Sequence, residues 1–249
     1  MNDDRFLDEV ARELIGLPAV EAVALGGSRA QATQRANSDG TSRSTTATAS
    51  TRTLRDLGHE GAVSEVGGWG GGVFNGGAWL TIAGRSVDVH YRDLAVVEEQ
   101  LTRAECGEFR IEPLMFHLAG IPSCLVVGEL AVNRVLFGSL PRPAYPEALR
   151  RSAPPVWSGR AALTLGYAER NHVPYGRSAQ CAGLLAVAAS EYAHAILAAR
   201  GEWVTNEKQL LDRAGIREVD GIIAGLTIDP VALAGAVNAV RAFGSSMLR

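Results

Sequence analysis

Residues 20–35 set the first constraint: a β-prone run with Val20, Val23 and Leu25 stops at the glycine pair Gly26–Gly27, and the helix-compatible SRAQATQ follows. Turning from strand to helix within two residues needs the backbone freedom of glycine, so the chain opens with a strand, glycine turn, helix unit. That unit has a chemical consequence. Backbone N–H groups at such a turn lie at the positive end of the helix and suit a phosphate, with the Ser28 hydroxyl as a further donor and Arg29 as a fixed charge. The pattern is not the Walker loop, because no Gly-Lys-Ser/Thr follows, nor the dinucleotide fingerprint, because its second and third glycines are missing. Taken alone it is equally a tight turn.

Around this unit the periodicities divide the chain. Asp3 or Asp4 caps an expected helix with Phe6, Leu7, Val10, Leu14 and Ile15 on one face, ending near Gly16 and Pro18. In AWLTIAGRSVDVHYRDL, two apolar runs flank Ala83–Gly84, which predicts an antiparallel hairpin. The glycines from Gly67 to Gly77 form a loop before it. After about Pro113 the spacing becomes helical: LVVGELAVNRVLFG, the Val156–Asn171 segment, AQCAGLLAVAASEYAHAILAARG and PVALAGAVNAVRAFGSSML, with Gly138 and Gly201 as C-terminal caps. LPRPAYP reads as a rigid connector. The expected division is an α+β part over 1–113 and a helical part over 114–249, with Leu114 to Gly138 able to pack on either.

Composition limits the function. The 249 residues carry 24 Lys+Arg against 27 Asp+Glu, a formal charge of −3, which excludes a generally basic, nucleic-acid-coating surface. A mean hydropathy of +0.05 argues against a membrane-embedded protein. Cys106, Cys124 and Cys181 are widely spaced and odd in number, so reduced thiols are expected rather than a disulfide or zinc framework. The acidic, amphipathic start MNDDRFLDEV lacks the basic and apolar runs of a secretion signal, which makes the cytoplasm the expected location. His117, His172 and His194 are isolated, with no metal spacing among them.

The candidate chemistry begins with two aspartates. Ser38–Asp39 lies ten residues beyond the glycine turn, and Asp88 sits between Val87 and Val89 on the second hairpin strand. An aspartate flanked by valines on a strand is disfavoured without a partner or a metal. His90 shares its face by the period-two rule, lining a site or serving as an ordinary strand histidine.

GGSRAQATQRANSD resembles the signature of the DNA polymerase β-type nucleotidyltransferase superfamily. There a strand ends in Gly-Ser or Gly-Gly-Ser, a carboxylate pair of form hDhDh follows about ten residues later, and a third carboxylate comes from a later strand, where Val87-Asp88-Val89 fits. The arrangement with a helical C-terminal part is similar to aminoglycoside and other small-molecule nucleotidyltransferases, and to the minimal nucleotidyltransferases of toxin–antitoxin pairs. The resemblance implies an α+β fold: a nucleotidyltransferase-type mixed sheet with flanking helices, then a C-terminal helical bundle. It also implies Mg²⁺, normally at a two-metal site, held by Asp39 and Asp88, which are thereby catalytic. ATP or another nucleoside triphosphate would rest on Gly26, Gly27, Ser28 and Arg29. The acceptor would be a hydroxyl of a small molecule or protein, with neither a membrane nor polynucleotide coating as partner. In GEWVTNEKQLLDRAG, Thr205 reads as the N-cap of a helix from Asn206; the resemblance would give Lys208 a phosphate contact and Glu207 the role of acceptor-activating base. A capped surface helix with ordinary charges is the alternative for that pair. Trp69, Phe74 and Trp79 would stack on a base or acceptor, though core packing explains Trp79 equally.

Four positions depart from the pattern. Where the second carboxylate belongs stands Thr41, and Ser42 and Ser44 replace the expected apolar residues, within a stretch, Gly40 to Thr53, built only of Gly, Thr, Ser, Arg and Ala. Ala32 also replaces a family glycine. A neutral hydroxyl is a poor bridging ligand, so two-metal binding should be badly weakened. Codons offer an explanation. Read one base out of phase, ACN threonine becomes Tyr, Asp, Asn or His, and TCN serine becomes Phe, Leu, Ile or Val. Position 41 is then allowed to be Asp, and 42 and 44 become apolar. One permitted solution, WDLAIYYRDSFDPD, has the same length as GTSRSTTATASTRT, which points to two compensating single-base indels. A flexible Ser/Thr loop is the simpler account, but it explains neither the missing strand nor the length match. The expected activity is therefore nucleotidyl transfer impaired at Thr41; the rival is an inactive nucleotide- or partner-binding module of the same fold, including an antitoxin.

Overall fold

The computed structural model describes residues 3–27, 41–42, 57–65, 67–68, 73, 75–114 and 117–248. The chain is α+β and divides into two compact units: residues 1–102 with 126–144, and residues 103–125 with 145–249. The units therefore interleave along the sequence, residues 103–125 grouping with the helical part and residues 126–144 with the first unit.

In the first unit, α1 (Asp3–Ile15) follows its apolar spacing and buries Phe6, Leu7, Val10, Ala11 and Leu14. Strand β1 (Val23–Leu25) is fully buried. A four-stranded sheet has the order β2-β5-β4-β3, built from β2 (Thr41–Ser42), β3 (Glu60–Val63), β4 (Gly77–Ile82) and β5 (Arg85–His90). The β4–β5 hairpin turns on Ala83 (φ 49°) and Gly84 (φ 72°), two left-handed residues as a two-residue loop between twisted strands requires. β2 runs parallel to β5, and the other pairings in this sheet are antiparallel. One face of the hairpin, with Ala78, Leu80, Ile82, Val87 and Val89, packs in a core with Phe6, Val10 and Leu14 of α1. The opposite face carries Trp79, Thr81, Ser86, Asp88 and His90.

Helix α2 (Leu94–Glu105) follows the hairpin. LVVGELAVNRVLFG is not one helix. Its first part forms α3 (Leu125–Val132), and Arg134–Phe137 becomes a strand, β8, pairing antiparallel with β1. Helical spacing runs on through Asn133, but Arg142 Nη2 donates to the Asn133 carbonyl at 2.7 Å and β1 offers an unpaired edge. Gly138 (φ 77°) thus follows a strand rather than capping a helix; a Cβ there would lie 2.3 Å from the Glu21 carbonyl oxygen.

In the second unit, short strands β6 (Ile111–Glu112) and β7 (Ile121–Pro122) pair antiparallel. The helical part comprises α4 (Glu147–Asn171), α5 (Ser178–Arg200), α6 (Leu210–Ala214), α7 (Val219–Ala224) and α8 (Pro230–Ser246). α4 starts earlier than Val156, running through Pro154 and Pro155, whose missing N–H groups leave the Arg150 and Arg151 carbonyls without their usual helical donors. Leu165, Leu185, Ala188, Tyr192, Leu233 and Val237 lie in one shared core. α5 has the length and apolarity to cross a membrane, but it serves as the central core helix, mostly buried inside the unit. Gly201 ends it in the left-handed conformation, φ 72°, as expected of a C-terminal cap. Asp229 caps α8 by accepting from the Ala232 N–H at 2.9 Å.

Candidate functional site

Each unit contributes one group of polar residues. In the first, burial of Val87 and Val89 fixes which way β5 faces; because strand side chains alternate, Asp88 is turned to the opposite side of the sheet. Asp88 is half-buried, directly opposite Trp79 on β4 and Ser42 on β2. Opposed residues in a sheet share a face, so a half-exposed indole, 50% accessible, stands beside the carboxylate. Core packing therefore does not account for Trp79. Two residues on, burial lowers the His90 pKa to about 4, with Arg92 adding to the effect and Glu129 opposing it; the imidazole is neutral at pH 7. Arg92 is buried, donating from Nε to Glu129 Oε2 at 2.6 Å and from Nη2 to Glu129 Oε1 at 2.8 Å. This bidentate pair ties the end of β5 to α3.

Gly26 and Gly27 follow β1, and Gly27 takes the left-handed conformation at φ 72°. Ser28, Arg29 and Asp39 lie outside the described residues, as do Trp69 and Phe74. Thr41, across from Val87, occupies the strand next to Asp88. Among the described residues no group of three His, Cys, Asp or Glu side chains is gathered for a metal. A Mg²⁺ arriving on a nucleotide needs only one or two carboxylates besides phosphate oxygens, and of the two expected ligands Asp88 is the one among the described residues. At position 41, where the resemblance expects the second carboxylate, β2 carries Thr41, which pairs with Val87 rather than with Asp88.

The second group centres on Glu207. The helix expected from Asn206 starts only at Leu210; Asn206 Oδ1 instead accepts from the Lys208 N–H at 3.0 Å. Glu207 is drawn away from a helical first turn because its carboxylate accepts from two consecutive backbone donors, Leu118 N–H at 2.8 Å and Ala119 N–H at 3.2 Å. His194 Nε2 approaches Glu207 Oε1 to 3.9 Å, a close polar approach too long for a hydrogen bond, and this buried nitrogen has no hydrogen-bond partner. The His194 ring stacks on Trp157, centroids 4.2 Å apart. Burial pushes the Glu207 carboxyl upward, but the Leu118 and Ala119 N–H groups, with the neighbouring His194 and His117, outweigh it and hold the pKa below the ordinary value. Burial chiefly lowers the His194 pKa. Lys208 has an exposed side chain.

Sequence reasoning did not single out the Arg92–Glu129 pair, the Glu207 contacts with residues 118 and 119, or a buried Glu191 held by Arg160. Their partners lie 31 to 89 positions apart, and no local pattern carries such a signal. No family model matches the chain, and no curated protein matches it either.

Proposed function

We propose that this is a nucleotidyltransferase-fold protein whose chemistry moves a nucleoside monophosphate from a nucleoside triphosphate, ATP foremost, to a hydroxyl of a small molecule or protein. Its activity is weakened because Thr41 stands where the second carboxylate belongs. The observation that carries this reading is that β2, two residues after Asp39 in sequence, runs parallel to β5 beside Asp88, with Asp88 on the sheet face away from the α1 core; in that register Ser42 lies opposite Asp88 and Thr41 opposite Val87, one position off the alignment the resemblance implies. In the resemblance, the second and third carboxylates come from such neighbouring strands.

In this reading Gly26, Gly27, Ser28 and Arg29 hold the triphosphate and Asp39 and Asp88 supply oxygen ligands; a phosphate contact for Lys208 is what the resemblance alone implies. Mg²⁺, when bound, would neutralise charge on the leaving pyrophosphate. The bond between the α-phosphorus and its bridging oxygen breaks, the acceptor oxygen bonds to that phosphorus, and the acceptor proton passes to a base. The base role for Glu207 is what the resemblance alone implies. Its lowered pKa keeps it ionised at neutral pH, the form that accepts a proton, and makes it a weak base.

The second reading, an inactive nucleotide- or partner-binding module such as an antitoxin, is favoured by Thr41 itself. Release of pyrophosphate from ATP, measured with and without Mg²⁺, separates the two. Mg²⁺-dependent release that is lost in Asp88→Asn supports the enzyme; nucleotide binding without release supports the module.

A further inference from the structure

The second unit holds a hollow of about 600 Å³ bordered by Ile111, Pro113, Leu114, His117, Leu118 and Arg160, within the usual size of small-molecule sites. Its loop wall is fixed from behind. Glu207 grips the Leu118 and Ala119 N–H groups, and Gly120, at φ 77°, leaves no room for a Cβ against the Glu112 carbonyl at 2.8 Å.

The opposite contribution, Arg160 of α4, is fixed as well. Its Nε donates to Glu191 Oε1 at 3.1 Å, and Glu191 Oε2 accepts from the Thr164 hydroxyl at 2.9 Å. The Glu191 side chain is 2% exposed while that of Arg160 is 46% exposed. Burying a carboxylate is costly, and a pair whose cation stays half in water recovers little of that cost. What the arrangement does accomplish is orientation. The guanidinium is held at Nε, and its two terminal amino groups make no other hydrogen bond among the described residues. Burial also pushes the Glu191 carboxyl up against the pull of Thr164 and Arg160. The nearby Glu112 faces Arg110 at 3.7 Å, and both Glu207 oxygens are engaged with backbone donors. His117 on the loop wall adds a second polar group.

We propose that this hollow binds an oxyanion, the carboxylate or phosphate of a small molecule, on the Arg160 guanidinium, with Ile111, Leu114 and Leu118 against its apolar part. A planar fork of donors with a fixed Nε is suited to a two-oxygen ligand. The site belongs to the second unit alone and does not depend on nucleotidyl transfer.

The test is calorimetric titration of the full chain with sodium phosphate and with sodium butyrate, against sodium chloride at matched ionic strength. Saturable binding of either at one site per chain is expected, weakened at least about tenfold by Arg160→Gln. Preference for phosphate identifies a phosphate ligand, and preference for butyrate, reduced further by Leu118→Ala, a carboxylate with an apolar body. If Arg160→Gln does not fold, the double variant Arg160→Gln/Glu191→Gln keeps the hydrogen bond without leaving a buried charge. Absence of saturable binding by both probes, or binding unchanged in the Arg160 variants, overturns the proposal.

Discussion

Replacing Glu207 by glutamine exchanges one oxygen for an NH₂ group and removes the ability to accept from both Leu118 and Ala119. The carboxylate meets those N–H groups at 2.8 and 3.2 Å with its side chain 13% exposed; the amide offers one acceptor and turns an NH₂ against the other donor. A hydrogen bond to a charged group is worth about 1.5–3 kcal/mol, and an unsatisfied buried donor costs about 1–3 kcal/mol. Partial solvation at this site favours the lower ends, so Glu207→Gln should destabilise by about 2 kcal/mol and Glu207→Ala by about 3–4 kcal/mol. At roughly 2–4 °C per kcal/mol for a chain of this size, the glutamine variant should melt about 6 °C lower. Amide exchange at Leu118 and Ala119 should accelerate with it. The pH dependence has a definite sign. A carboxyl whose pKa is depressed on folding stabilises above its unfolded value, near 4.3, and loses that contribution as pH falls through the folded value. The gap between wild type and Glu207→Gln should therefore close below about pH 4. A glutamine variant with unchanged melting and unchanged protection at residues 118 and 119 would refute the reasoning.

Three further outcomes follow from the packing. Gly138→Ala should destabilise the first unit by about 2–4 kcal/mol in urea unfolding, since φ 77° disfavours a side chain and the added Cβ overlaps Glu21 backbone. Gly244→Ala should cost about 1–3 kcal/mol, because the new methyl would lie 2.3 Å from the ring of buried Tyr192. The His90 ring, followed by NMR, should titrate near pH 4; as its pKa is lowered on folding, its neutral form contributes stability that declines as pH falls from about 6.5 toward 4.

What was legible was local. α1 and the 77–90 hairpin could be read because apolar spacing and the Ala83–Gly84 turn are short-range signals, and Asp88 stood out because Val87 and Val89 leave it a single face. Gly201 followed the C-cap rule. Gly138 obeyed the same rule on paper and broke it in space, since the fate of Arg134–Phe137 depends on β1, more than a hundred positions earlier in the chain. Likewise Thr205 resembled an N-cap, but Glu207 takes its partners from residues 118 and 119. Burial of Glu191 and His194 was hidden in helical periodicity that fits a charged face as readily as a core.

The central claim is Mg²⁺-dependent nucleotidyl transfer organised on Asp88, and pyrophosphate release from γ-labelled ATP, with water as an acceptor-independent surrogate, tests it most directly. Four chains are compared: wild type, Asp88→Asn, Thr41→Asp, and one with residues 40–53 replaced by WDLAIYYRDSFDPD. The account predicts slow release by wild type, none by Asp88→Asn, and a gain of at least about tenfold, or 1.4 kcal/mol of transition-state stabilisation, in the chain with the replaced segment, with part of that gain in Thr41→Asp. Release undiminished in Asp88→Asn, or no Mg²⁺-dependent release by any of the four, would contradict it.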